Sequence, residues 1–219
     1  MKTGVTIVKC NEKLIEQLKE GLESWNSWRK KNPGAPIDLE NADLSDQNLS
    51  EFMLIRANLT SANLAEVSLI NADLRGANLS QANLRNANLR RANLTSVNLL
   101  RADLTGANLS GANLTGATLS GANLSGANLI GANLSRVKLI EANLLGAILN
   151  QNQLRRVYSI KIRLAGANLS RAALSKMNLG AEVFPDINLE DTRLPDTNLL
   201  GANLQGAIMP DGMTYYQVK

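Results

Sequence analysis

The sequence predicts an all-β solenoid closed at its start by a helical cap, and three observations predict it. Leucine recurs every five residues from Leu39 onward, filling 32 of the 35 such positions up to 209, with Ser159, Phe184 and Met209 at the others. A small or apolar residue, most often Ala, stands two places before most of them, as in Ala57-Asn58-Leu59 and Ala107-Asn108-Leu109. Aromatic residues are only 3% of the chain, so its core has to be assembled from many identical aliphatic units rather than from Phe, Tyr and Trp.

The period excludes the simpler architectures. Leucines five apart on an α-helix step 140° around its axis and scatter over the whole surface. In an extended strand an odd step sends successive leucines to opposite faces. Within one repeat, however, Ala and Leu are two apart and share a face, while the next Ala is three further on and turns inward only if the chain bends. Ser, Thr or Arg, often followed by Gly, fills the interval, as in Ser110-Gly111, Thr115-Gly116 and Ser125-Gly126, which is turn chemistry where a corner is needed. One bend per pentapeptide gives a solenoid, and the period alone leaves open whether three or four sides close a coil.

The unit Ala-(Asn/Asp)-Leu-(Ser/Thr/Arg)-Gly resembles the signature of the pentapeptide-repeat family over residues 37 to 209. That resemblance implies a right-handed quadrilateral β-helix with 20 residues per coil, hence nearly nine coils. At about 4.8 Å between strands the stack is roughly 40 Å long.

The elements then follow in chain order. Residues 1–36 form an N-terminal segment with a capping helix over 11–31, in which Asn11 is the N-cap and Leu14, Leu18, Leu22, Trp25 and Trp28 lie on one helical stripe. Pro33, Gly34 and Pro36 end it. The run Trp25-Asn26-Ser27-Trp28-Arg29 with Asn32-Pro33 resembles a leader that precedes the repeats in many cyanobacterial family members, and its tryptophans are expected to be capping core. Residues 37–209 are the repeats. Residues 210–219 are a C-terminal cap or tail, and Met213, Tyr215 and Tyr216 either fold over the last coil or make a dimer contact. Two stretches break the pattern: 150–163, with Asn152 and Ser159 at inward positions, and 180–197, with Glu182, Pro185, Thr192, Pro195 and Thr197. An unpaired inward carboxylate at Glu182 is costly, so a bulge is expected there.

Composition narrows the chemistry. The chain has no His and a single cysteine, Cys10, so the usual general base, an internal disulfide and a thiolate zinc site are all missing. No catalytic residues, cofactor or metal are expected. The glycines of 106–131 recur every five residues with no Gly-Lys-Ser/Thr after them and are not a phosphate loop. The lone cysteine and the lack of a secretory or membrane-spanning run point to the cytoplasm.

Net charge is +4, and in 20-residue coils Arg136, Arg156 and Lys176 fall in one outward column, with Arg155 beside it and Arg75 further down. This column is the candidate binding surface for an acidic protein, a membrane surface or nucleic-acid phosphates. The favoured function is a non-enzymatic scaffold or protein-interaction module, monomeric or dimeric through its C-terminal end. The family resemblance implies an alternative, a DNA mimic that binds type II topoisomerases, which the positive net charge disfavours. Direct nucleic-acid binding is the third reading, weakened by the scarcity of aromatics for base stacking.

Overall fold

The structure, a computed structural model, describes residues 12–145, 147–149, 153–155, 173–175, 206–211 and 213–214. From Asp38 to Ile148 isolated parallel bridges join residues 20 apart in an unbroken series: Asp38 to Asn58, Asp43 to Asn63, and so on to Asn128 with Ile148. Each coil is therefore four pentapeptides. The short strands β1 (Gln153–Arg155) and β2 (Ala173–Ser175) pair in parallel at the same offset of 20, Leu154 against Leu174.

One pentapeptide shows why the chain winds this way. Ala57 N–H donates to Leu54 O across the corner, at 3.0 Å. Asn58 N–H reaches Ile37 O in the preceding coil at 2.8 Å, while Leu59 and Ser61 N–H reach Asn78 O and Ser80 O in the following coil at 2.7 and 2.9 Å. The remaining donor, Thr60 N–H, bonds its neighbour's side chain, Asn58 Oδ1, at 3.2 Å. All five donors are satisfied, as a closely wound backbone requires.

The corner needs a left-handed residue. The second residue after each leucine has positive φ from Asn41 through Glu141, with Gly at 76, 106, 111, 116, 121, 126 and 131 and residues such as Arg56, Glu66 and Arg91 elsewhere. Glycine takes that conformation without steric cost. At the other corners the bonds to the coils on either side impose it.

Alternate residues turn inward. The repeat leucines from Leu39 to Leu149 are buried, as are the residues two before them except the exposed Gln47, with Ile37, Phe52, Val67, Val97 and Val137 replacing Ala at five of the buried places. One continuous core results.

The start of the stack is closed by two helices rather than one. α1 spans Glu12–Lys19 and α2 spans Leu22–Lys31. Between them Gly21, at φ 95°, receives the end of α1 through its N–H to Leu18 O and begins α2 by accepting from Trp25 N–H. The expected single stripe is thus broken: Leu14, Leu18 and Trp25 enter the core and Trp28 packs partly against it, but Leu22, at the first residue of α2, is 36% exposed. Asn11 lies outside the described residues, as do both irregular stretches apart from 153–155.

At the other end the chain reverses. Ile208 bridges Thr214 in antiparallel fashion, Met209 N–H donates to Met213 O at 2.7 Å, and Met213 N–H bonds the Asp211 carboxylate. Met209 packs on the core while Met213 is 69% exposed, so Met213 does not fold over it. Tyr215 and Tyr216 lie outside the described residues.

Candidate functional site

The outward surface is made by the residue before each leucine and by the corner pair. At the first of these, Asn or Asp accepts from the N–H two residues on, as in Asn78 to Ser80 and Asn113 to Thr115, both 3.1 Å. Its amide also links coils: Asn83 Nδ2 donates to Asn63 Oδ1, Asn98 to Asn78 and Asn143 to Asn123, each at 2.9 Å.

Asp fits only where a donor faces it. Asp43 takes Asn63 Nδ2 together with the Ser45 hydroxyl and N–H, and these bonds, the Ser45 hydroxyl first, hold its carboxyl below the usual range. At Asp103 partial burial pushes the pKa up, but the Thr105 hydroxyl and N–H and Arg85 outweigh it, so the net shift is downward.

Charge sits at the corner pairs and, as Asp, before leucine, and it is segregated along the stack. Residues 38–66 hold Asp38, Glu40, Asp43, Asp46, Glu51 and Glu66 against one base, Arg56. The next coil and a half reverses this with Arg75, Arg85, Arg90, Arg91 and Arg101, and residues 104–135 carry no charge at all. All five arginines are exposed. Arg75 is held by Asp73 at 2.6 Å and Arg85 by Asp103 at 3.1 Å. A hydrogen bond and the charge of Asp73 raise the Arg75 pKa.

Arginine stems lie where glycine leaves room. A Cβ built on Gly111 would meet Arg91 Cγ at 3.4 Å, and one on Gly121 would meet Arg101 Cγ at 3.2 Å. The sequence reading missed this belt, whose signal emerges once the chain is written in rows of 20.

Of the basic column expected from the sequence, Arg136 is an exposed corner residue with φ 61°, and Lys138 is exposed beside it. Arg155 stands in β1; Arg156 and Lys176 lie outside the described residues. A second basic group borders an open groove of about 590 Å³ lined by Arg29, Arg56, Arg75, Thr95 and Pro36, among others. Arg29 there is structural: it is buried, donates to the carbonyls of Asn32, Ala35 and Pro33, and has its pKa lowered by desolvation.

Among the described residues no group of three or more His, Cys, Asp or Glu is placed to hold a metal, and no helix is long and apolar enough to cross a membrane. The family model for pentapeptide repeats matches the chain in eight copies, over residues 37–76, 72–111, 112–151 and 183–210. The chain belongs to the pentapeptide-repeat family.

Among solved pentapeptide-repeat proteins it is similar to HetL, involved in heterocyst differentiation regulation in the cyanobacterium Nostoc, at 30% identity over 86% of this chain and 98% of that one, with a TM-score of 0.43. Rfr23, from the cyanobacterium Cyanothece, is 28% identical over 66% of this chain and 97% of that one, with a TM-score of 0.37. QnrB1, a plasmid-mediated fluoroquinolone resistance protein, is 19% identical over 76% of this chain and 88% of that one, with a TM-score of 0.55; at that identity the likeness is one of fold. No curated protein matches the chain.

Proposed function

We propose that this pentapeptide-repeat protein is a non-enzymatic cytoplasmic scaffold, a right-handed four-sided β-helix whose basic corners bind an acidic macromolecular partner. The observation that carries the reading is the arginine belt at 75–101. Its stems rest on a stack fixed by coil-to-coil hydrogen bonds, so little is lost in ordering the surface when a partner binds. Arg90, Arg91 and Arg101 have no carboxylate within ion-pair distance among the described residues. The column Arg136, Arg155, Arg156 and Lys176 extends the same chemistry in later coils, and the helical segment before residue 37 serves as the cap.

The test is capture from native cell extract with the wild type beside two folded variants, Arg90→Glu/Arg91→Glu/Arg101→Glu and Arg136→Glu/Arg156→Glu/Lys176→Glu. A partner held by the wild type is expected to be lost from at least one variant, with circular dichroism unchanged. Identical captures from all three would discard the basic surface. Loss of nucleic acid, rather than protein, with a steep salt dependence would shift the reading to direct phosphate binding.

One observation favours a second reading. The six carboxylates of 38–66 make the first coils acidic despite the positive net charge, and a topoisomerase-binding DNA mimic requires an acidic face. Inhibition of purified gyrase by the wild type, abolished by Asp46→Lys/Glu51→Lys/Glu66→Lys, is the outcome that reading expects. Without inhibition it falls.

A further inference from the structure

The four flat sides of the stack differ in the residue before leucine. Among the described residues up to Ile148, that position includes Asp38 on the first side, Asp43 and Asp103 on the second and Asp73 on the fourth. The third side, through Asn48, Ser68, Asn88, Asn108 and Asn128, has no carboxylate there. On the first two sides the Asn amides are engaged between coils, as in Asn98 to Asn78 and Asn83 to Asn63. On the third, Asn88, Asn108 and Asn128 accept with Oδ1 from the N–H groups of Arg90, Ser110 and Ile130, at 3.4, 3.1 and 3.0 Å, and Nδ2 of each has no acceptor among the described residues. Three unengaged donors thus line this side at intervals of about 4.8 Å. Asn93, Asn113 and Asn133 on the fourth side are also unengaged through Nδ2, but they share that side with Asp73.

Both corners beside Asn88 are basic. Arg85 stands at one and Arg90 and Arg91 at the other, all exposed, and the three extended residues between place the corners about 10 Å apart. Arg85 gives Nη1 to Asp103, while Arg90 and Arg91 have no carboxylate partner among the described residues. The Arg91 stem leans over Gly111, toward the uncharged coils. In the other direction lie Glu66, one coil before the Arg85 corner, and Asp46 and Glu51, two coils before these corners. At about 5 Å along the stack Glu66 is within a Debye length, so the seat for negative charge runs from Asn88 toward Asn128 and away from the cap. We propose that this side binds a short acidic peptide segment of a protein partner, its carboxylates taken by the arginine forks and its oxygens by the Asn88, Asn108 and Asn128 amides. This rests on the basic-surface reading above and narrows it to one side of the stack and one class of ligand. A nucleic acid fits this side less well, with three cations for its phosphates and no aromatic side chain for its bases.

Titration of a labelled Asp- and Glu-rich peptide with the full chain, followed by fluorescence anisotropy, tests it. Arg90→Gln/Arg91→Gln and Asn108→Asp are each expected to weaken binding by about tenfold or more. Asn108→Asp keeps the acceptor that Ser110 N–H needs, as Asp103 provides for Thr105, and removes only the unengaged donor. Thr118→Asp adds the same charge on the opposite side of the stack and should bind within about twofold of wild type, with circular dichroism unchanged in all three variants. If Asn108→Asp weakens binding no more than Thr118→Asp does, the side is wrongly assigned while the basic surface stands. If the arginine variant binds the peptide as wild type does, the basic surface falls as well. No binding of the peptide by wild type, or tighter binding of a single-stranded oligonucleotide of equal charge, overturns the ligand proposed.

Discussion

The residue before each leucine has the most demanding chemistry in the repeat, because it must accept an N–H from its own chain and meet a like residue in the coils on either side. Asn does both, accepting with Oδ1 and donating with Nδ2; Asp only accepts. Asn83 donates to Asn63 Oδ1 and pairs by backbone with Asp103. Asn83→Asp therefore removes the donor and sets two carboxylates opposite each other. The lost bond is worth about 1 kcal/mol, and like charges opposite add up to about 1 kcal/mol, reduced by solvent at these half-exposed sites. The expected deficit at pH 7 is about 1 to 2 kcal/mol. Its sign with pH follows from the charges: repulsion raises carboxyl pKa values in the folded variant, whereas Asp103 in the wild type is lowered, so the variant's disadvantage is present above the carboxylate range and shrinks as pH falls below about 4. Once protonated, the introduced carboxyl also regains a donor. Denaturant titrations at pH 7 and pH 3 check this, and an equal deficit at both pH values contradicts it. The inward Leu and Ala were legible in the sequence because burial imposes a strict period. The double duty of Asn was not, since its second partner is 20 residues away.

At the scale of the element, the cap shows how a helix terminates a β-stack. Trp25 is fully buried, its ring 6.2 Å from Phe52 and 5.2 Å from Trp28, and the Asn26 amide takes the place of a preceding coil. Asn26→Leu keeps the volume but leaves the part-buried Met53 N–H unpaired, at a cost of about 1 to 3 kcal/mol, while the exposed Glu51 O can turn to water. Hydrogen exchange should quicken at Met53 and Leu54 and stay unchanged at Leu109; uniform acceleration through the stack would show that the cap is not a local lid. The stripe Leu14, Leu18, Leu22, Trp25 reads through Gly21 as if the helix were continuous, and only the glycine's positive φ reveals the break that turns Leu22 outward. Residues spaced for one helix can thus be shared between two.

The molecule as a whole is close to one-dimensional: each coil touches the coils before and after it, so stability is a sum of coil and interface contributions. That makes the position of a defect matter as much as its chemistry. Charge along the axis follows the same logic, with acidic coils, an arginine belt and an uncharged stretch each confined to their own layers, invisible in a net charge of +4. Leu114 is fully buried in mid-stack, with Leu94 and Leu134 at the equivalent places in the coils on either side; the neighbouring Asn113 bonds Leu94 N–H and Ala92 O in the coil before, and Leu114 N–H bonds Asn133 O in the coil after. An aspartate there has no donor to meet it, and an unpaired buried carboxylate costs more than the about 2 to 5 kcal/mol of a leucine truncation. At about 2 to 4 °C per kcal/mol for a chain of this size, Leu114→Asp should lower the melting temperature by about 10 °C or more. Leu44→Asp places the same charge in the first coil, where fraying of one coil and its lid relieves it while the coils above keep their interfaces. Its global transition should therefore stay nearer to that of the wild type, with an early local loss of tryptophan signal. Equal falls from both substitutions would mean that the stack unfolds as one indivisible unit, and a Leu114→Asp melting temperature within a few degrees of wild type would mean that the interior does not hold Leu114 as tightly as its burial requires.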